Sequence, residues 1–386
     1  MDMREACRIF AGHRGGAAAM VSSGQTPTMW EVAHEDPTLY FTGMSYSAAG
    51  ALGLALTRPD LKVVAIEGDG SMLMGLANLP TIGRYAPTNL VVLVMDNRTY
   101  LGSFKGHLDS ASVTTDFAAV AAATNFRLTI TAETPEELDL AIAQAMAESG
   151  PSMVVARVDK TRVLDAAKQR TRPDRTEFTI AFQRWLADHP GPEDVPLPSA
   201  PVERSAETRG GDAQQFGRTA GGHLYRALKA AGIDFIVYLP DGELYSVIEE
   251  AEADPEMAAV CCNREDEGIA IAGGAAAAGR RVAVVMEGTG IGFSGLILAH
   301  EILNRVPMVI LSSHSKEMGI RLPHNDVAAM VNEPVLDALG IHKVVLRHLA
   351  DAELYIAESQ RSAEVLKQPV AVVIPPHVMA EAAPGG

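Results

Sequence analysis

The sequence is poor in cysteine, in aromatic residues and in positive charge. Three cysteines, Cys7 and the adjacent pair Cys261 and Cys262, are too few for a disulfide framework or a zinc spacing. That usage suits a reducing cytoplasm. Lys and Arg number 32 against 48 Asp and Glu, a formal charge of −16. No nucleic acid partner is expected, because phosphate backbones are held by basic surface. The acidic balance reads as solubility. No run of about 18 uncharged apolar residues occurs, so no membrane span is expected. The opening MDMREACRIF lacks the basic patch and apolar run of a secretory leader. Aromatics make up only 5%, whereas Gly numbers 34 and apolar residues reach 47%. That balance describes a globular chain with tight backbone packing, and 386 residues suffice for two α/β domains.

Apolar runs of strand length alternate with Ala-rich helical stretches. Residues 61–66 (LKVVAI), 89–95 (NLVVLVM) and 153–158 (MVVARV) read as strands in the first half. Residues 235–238, 282–286, 308–311 and 370–374 read as strands in the second. Unalternating Val/Ile/Leu runs are the mark of strands covered on both faces. Helices are predicted over 46–56, 117–123, 134–148, 221–231, 265–279 and 294–304. Thr134 with Glu137 forms a capping-box pattern. Pro, Gly, Ser and charge crowd 189–215, which reads as a linker. The expected organisation is two doubly wound parallel-sheet α/β domains, 1–188 and 216–386, joined by linker 189–215.

Gly68-Asp69-Gly70-Ser71 follows the strand ending at Ile66, and Asn97 lies at the end of the next strong strand. Both segments are expected at the carboxyl edge of a parallel sheet, where such folds place ligands. Asp69 offers a carboxylate oxygen, Asn97 an amide oxygen and Thr99 a backbone carbonyl. Three hard oxygens of this kind suit Mg²⁺, which completes its octahedron from phosphate and water. Gly68 and Gly70 allow close approach of a diphosphate, and a helix starting near Ser71 offers free N–H groups. A turn after a strand explains a lone Gly-Asp-Gly equally well; the strand–GDGS–helix–strand–Asp-Asn order is more specific.

The run GDGSMLMGLANLPTIGRYAPTNLVVLVMDNRTY resembles the diphosphate-binding domain of thiamine-diphosphate-dependent 2-oxo acid decarboxylases, above all the sulfopyruvate and phosphonopyruvate decarboxylase group. The resemblance implies that Gly43, Met44 and Ser45 form the loop beneath the cofactor, with Met44 the apolar wedge that bends it. Ordinary core packing is the plainer reading of Met44. Gly24 and Gln25 fall where the family has another diphosphate-contacting loop. Tyr100 and Leu101, beside Thr99, join the implied cofactor set. The family also needs a pyrimidine-binding domain presenting one glutamate. NREDEGIAIAGG, residues 263–274, resembles that element, with Glu265 in register and Glu267 as the runner-up. The alternative is a solvated helix start rich in acids. MEGTGIGFSG, which contains Thr289, resembles the family's turn after the next strand. A dinucleotide reading of that turn fails, because Phe293 stands where the third Gly is required. Asp241, in LPDG, is either an acid pointed into the active site or a helix cap.

The implied order, diphosphate domain first and pyrimidine domain second, is the reverse of most single-chain relatives. The resemblance implies thiamine diphosphate and Mg²⁺ as cofactors, a 2-oxo acid as substrate, and a homodimer or homotetramer with active sites between the two domain types. Glu265 is implied to hydrogen-bond the pyrimidine N1′, while the cofactor takes up the electron pair as CO₂ leaves. His107, His314 and His324 are candidates for proton delivery. His107 and His324 lie in segments that depart from the family pattern, so substrate identity does not carry over. Lys105, Lys316 and Arg321 could hold an anionic tail, with a solvated surface as the plainer reading. Two other readings stand beside decarboxylation: a carboligase that joins the decarboxylated 2-oxo acid to an aldehyde or ketone, and a thiamine diphosphate-binding protein without catalysis.

Overall fold

The computed structural model describes residues 1–40, 42–100, 108–160, 174–192, 212–314 and 323–381; at 212–219 and 324 it describes the backbone alone. The chain divides into two compact units, Met1–Val195 and Pro196–Gly386. The division falls inside the stretch read as a linker, and the helix Asp212–Ala230 begins within its last residues.

The first unit contains β1 (Ala18–Val21), β2 (Thr38–Tyr40), β3 (Val63–Gly68), β4 (Leu90–Asp96), β5 (Thr99–Tyr100), β6 (Leu108–Asp109), β7 (Leu128–Ala132) and β8 (Ser152–Arg157). Six of these form a parallel sheet in the order β2-β1-β3-β4-β8-β7, and β5 pairs with β6 as a short antiparallel ribbon. Every residue of β3 and β4 is buried, as helices on both faces require. Val64, Ile66, Val91, Leu93 and Val154 supply the centre of one core layer.

The second unit contains β9 (Phe235–Tyr238), β10 (Ala258–Cys261), β11 (Val282–Glu287), β12 (Met308–Ser313), β13 (His342–Val345) and β14 (Pro369–Ile374). Its sheet is again parallel, in the order β10-β9-β11-β12-β14-β13. Strand for strand, this is the topology of the first sheet. In each unit the chain runs from its first strand outward to the second, then returns to lay the third on the first strand's other side. The carboxyl ends flanking that reversal are where doubly wound sheets bind ligands.

The seven strands read from the sequence are all present, displaced by at most two residues at either end. Five further strands complete the two sheets, and four of them lie at sheet edges. Three of these edge strands are short and partly exposed, so they lack long apolar runs, and the fourth, Thr38–Tyr40, is buried but only three residues long. The fifth, Ala18–Val21, is interior, but its Ala-rich sequence carries no strand signal. The capping box is present: Thr134 Oγ1 accepts from Glu137 N at 3.2 Å, and the Glu137 carboxylate accepts from Thr134 N at 3.3 Å. Two boundaries move. The helix expected near Ser71 begins at Asp69, and the helix expected from 221 begins at Asp212.

Candidate active site

β3 and β4 are neighbours, with Gly68 opposite Met95. Asp69 and Asn97 therefore emerge together at the carboxyl edge. Asp69 is buried, and its Oδ2 accepts from Ser112 Oγ at 2.7 Å. Among the described residues it has no ion pair within 4.0 Å. A buried carboxylate in that condition fits a cation. Asn97 Oδ1 accepts from Thr99 N at 2.9 Å, which folds the strand end into a tight turn and leaves that oxygen a second lone pair. Next to them, Asp96 is held by the guanidinium of Arg157, from the end of β8. That pair neutralises Asp96, and the Arg157 charge acts on Asp69 as well.

The turn after β3 is crowded by its own neighbours. A Cβ on Gly68 would stand 2.5 Å from Gln25 Nε2, and one on Gly70 would stand 2.3 Å from Tyr100 Cε1. Gln25 and Tyr100 thus share this edge with the GDGS turn. Gln25 Oε1 accepts from Ser22 Oγ at 2.5 Å, tying the loop after β1 together. Gly24 lies within that same loop, with open space around it. Donor chemistry and cradle both fit a diphosphate with its metal.

Gly43 (φ +90°) and Ser45 (φ +73°) set a sharp loop between them. Met44, at its tip, is 36% exposed, so ordinary core packing does not describe it. The loop is tied to the GDGS turn from below. Ser45 N donates to Ser71 Oγ at 2.8 Å, and Asn78 Nδ2 donates to Ser45 O at 2.8 Å. Ser71 Oγ in turn donates to Glu67, whose other oxygen accepts from Ala48 N at 3.1 Å. Glu67 has no exposure, and burial pushes its carboxyl up to about 7, against the pull of those donors. Sequence reasoning gave Glu67 no role.

In the second unit, Glu265 opens the helix Glu265–Ala277, directly after β10. It is half-buried, and a Cβ on Gly290 would stand 2.9 Å from its Cδ. Burial raises its carboxyl above the usual range, and Asp266 and Glu287 add to the rise. Glu267 faces elsewhere: its Oε2 accepts from Asn263 N at 2.9 Å, closing the loop before the helix. Asp266 pairs with Arg264. Thr289 Oγ1 donates to Glu287 Oε2 at 2.9 Å.

Asp241, just past β9, combines both readings given to it. Its oxygens accept from Glu243 N (3.3 Å) and Leu244 N (3.2 Å), a capping pattern. It is also buried, which raises its carboxyl, while the Ser313 hydroxyl and the His314 imidazole at the end of β12 pull it back down. Leu101, Lys105, His107, Lys316 and Arg321 lie outside the described residues. His324 sits in the first turn of the helix Pro323–Ala338, and its side chain is likewise outside them. Beyond Glu67, sequence reasoning missed Ser112, Arg157, Glu287, Asn325 and Asn332. Ser112, Arg157 and Asn332 belong to no local motif and are brought in by tertiary folding, whereas Glu287 stands inside MEGTGIGFSG and Asn325 directly follows His324, and neither was given a role.

Two topologically equal α/β units, one with a strand edge that fits a metal and a diphosphate and the other with a half-buried glutamate, match the arrangement expected of the thiamine diphosphate-binding class. Comparison with known proteins agrees. Residues 16–156 match the C-terminal TPP binding domain of thiamine pyrophosphate enzymes, and residues 218–332 match their N-terminal TPP binding domain. The chain belongs to the thiamine pyrophosphate enzymes, with the two domains in swapped order. Phosphonopyruvate decarboxylase of Streptomyces viridochromogenes is 36% identical over 192 residues, 49% of this chain and 47% of that protein. Sulfopyruvate decarboxylase subunit beta of Methanococcus maripaludis is 35% identical over 130 residues, 33% of this chain and 68% of that subunit. The chain spans about half the length of the phosphonopyruvate decarboxylases it matches. Benzoylformate decarboxylase from Polynucleobacter necessarius shares the fold, with a TM-score of 0.59 at 10% identity, covering 100% of each chain. Among the described residues no helix is long and apolar enough to cross a membrane.

Proposed function

We propose that this protein is a thiamine-diphosphate- and Mg²⁺-dependent enzyme that removes CO₂ from a 2-oxo acid of the sulfopyruvate or phosphonopyruvate kind, leaving an aldehyde. The observation that carries the reading is buried Asp69, without an ion pair among the described residues, at the strand edge it shares with Asn97. Asp69, Asn97 and the Thr99 carbonyl would hold the metal, and the turn Gly68–Ser71 would receive the diphosphate. Met44, on its loop with Gly43 and Ser45, would bear on the cofactor's bend. Gln25, Tyr100 and Thr289 belong to the same proposed cradle.

When bound, thiamine diphosphate supplies the electron sink for the pair left on the 2-oxo carbon as CO₂ departs. Glu265 holds a proton at the pyrimidine nitrogen, a task for which a raised carboxyl is suited. The protein works as a homo-oligomer, a dimer or a tetramer, in a reducing compartment where its three free thiols persist.

CO₂ release from a panel of 2-oxo acids with sulfonate, phosphonate, carboxylate, aryl and alkyl tails tests this reading, run with and without an acceptor aldehyde. Release from the sulfonate or phosphonate acid supports it. Consumption of the acceptor would assign a carboligase instead. Glu265→Gln should keep the cofactor and lose at least about 100-fold in rate, whereas Glu267→Gln should lose stability more than rate. Full activity of the Glu265 variant would overturn its assignment.

A further inference from the structure

Ser112 reaches the proposed metal edge from outside the two strands that build it. The ribbon of β5 and β6 sets Thr99 opposite Asp109. Ser110 N donates to the Arg98 carbonyl at 2.9 Å, so the chain returns to the residue just beyond Asn97. Ser110 Oγ then accepts from Ser112 N at 3.2 Å and caps the short 3₁₀ turn Ala111–Thr114. That turn carries Ser112 into the interior, where it is 1% exposed. Its hydroxyl donates to Asp69 Oδ2 at 2.7 Å and lies 3.5 Å from Asp96 Oδ1.

These contacts limit what the edge can give a cation. The hydroxyl proton draws on Oδ2 and leaves Oδ1 the stronger donor of Asp69. Asn97 Oδ1 has one lone pair committed to Thr99 N. Asp96, the acid beside Asn97, is committed on both oxygens. The Arg157 guanidinium holds Oδ2, and Oδ1 accepts from Arg98 N at 3.1 Å. Among the described residues the edge thus offers single oxygens, from Asp69, Asn97 and the Thr99 carbonyl, and no carboxylate free to chelate. Mg²⁺ takes single oxygens in a tight octahedron, whereas Ca²⁺ takes about six to eight at longer range, often both from one carboxylate. A donor fixed on one oxygen also stops the carboxylate from rotating, which suits the ion with the stricter geometry.

We propose that Ser112 is a positioning residue that holds Asp69 to one metal-facing oxygen and so favours Mg²⁺ over Ca²⁺ at this edge. The proposal rests on the reading of Asp69, Asn97 and Thr99 as metal ligands, and it is independent of the 2-oxo acid. Ser112 acts through Asp69 and need not touch the ion. Removing its hydroxyl frees Oδ2, lets the carboxylate swing to present both oxygens, and suits the larger ion.

The test titrates thiamine diphosphate into the full, metal-stripped chain by calorimetry, once in Mg²⁺ and once in Ca²⁺ at equal concentration. Ser112→Ala removes the donor. Ser112→Cys keeps the shape but offers only a weak donor, and it decides the matter if the alanine chain does not fold. Losing an outer partner costs about 10–100-fold in metal affinity. The affinity measured in Mg²⁺ should therefore fall about 10-fold or more in both variants, while that in Ca²⁺ holds or rises. A merely structural role would weaken both alike. Equal loss with the two metals, or no change with either, in a folded variant overturns the proposal. If the unsubstituted chain binds no thiamine diphosphate with either metal, the metal reading falls and this proposal with it. If the preference shifts as expected but no 2-oxo acid releases CO₂, the decarboxylase reading alone fails and the role of Ser112 stands.

Discussion

Glu67→Gln isolates the cost of the one carboxyl enclosed beneath the GDGS turn. The folded protein holds the Glu67 proton up to about 7, against an ordinary value of 4.5. An acid that binds its proton more tightly in the folded form stabilises the fold at low pH. That contribution is complete below 4.5 and is lost as pH rises through 7. Between pH 5 and pH 8 that contribution falls by about 2–3 kcal/mol, at about 1.4 kcal/mol per unit. No discount for solvent applies, because the side chain has no exposure. Gln cannot titrate. Its amide costs something opposite the Ser71 hydroxyl and Ala48 N–H, but that cost is the same at both pH values. The stability of the variant should therefore fall about 2–3 kcal/mol less over this range than that of the unsubstituted chain. Urea unfolding without cofactor or Mg²⁺ measures it. Both tryptophans, Trp30 and Trp185, lie in the first unit, so their fluorescence follows the unit that contains Glu67. Equal pH dependence in the two proteins would refute the reasoning, since Glu67 would then ionise alike folded and unfolded.

Two other substitutions probe the same unit. Asp69→Asn keeps the size of the side chain and removes the charge. It should weaken Mg²⁺-dependent binding of thiamine diphosphate by about 100-fold or more, the upper end of what losing an outer partner costs. Titration calorimetry reads the change, and unaltered affinity would remove Asp69 from the proposed metal site. Gly83→Ala drives a Cβ to 1.6 Å from the Thr124 carbonyl oxygen, a backbone atom that cannot swing aside. The helix Asn78–Tyr85 must shift to admit it, so the urea midpoint should fall by the equivalent of about 2 kcal/mol; an unchanged midpoint contradicts so close a crossing.

The parts of the fold legible in the sequence are those whose cause is local. β3, β4 and β8 are buried on both faces, and their Val-rich runs announce it. Asp69 and Asn97 were legible because each stands directly after such a run. Edge strands such as His342–Val345 were not, since half-exposed residues there need no apolar pattern. Glu67 hides within its own motif. It is the penultimate residue of a buried strand, and only the folded position of Ser71 and Ala48 makes it a buried acceptor. His314 is harder still. Nothing local in VILSSHS marks a left-handed residue, because the constraint comes from Asn332, eighteen positions away.

Both sheets are closed on their own strands: among the described residues, neither borrows a strand from the other unit. The covalent join between them is therefore not needed to complete either sheet. A gene encoding the two halves could be cut in the linker, or its halves exchanged, and each core would keep every residue it packs. What a single polypeptide does secure is stoichiometry. It delivers one copy of each unit for every copy of the other, with no need to balance the synthesis of two partners.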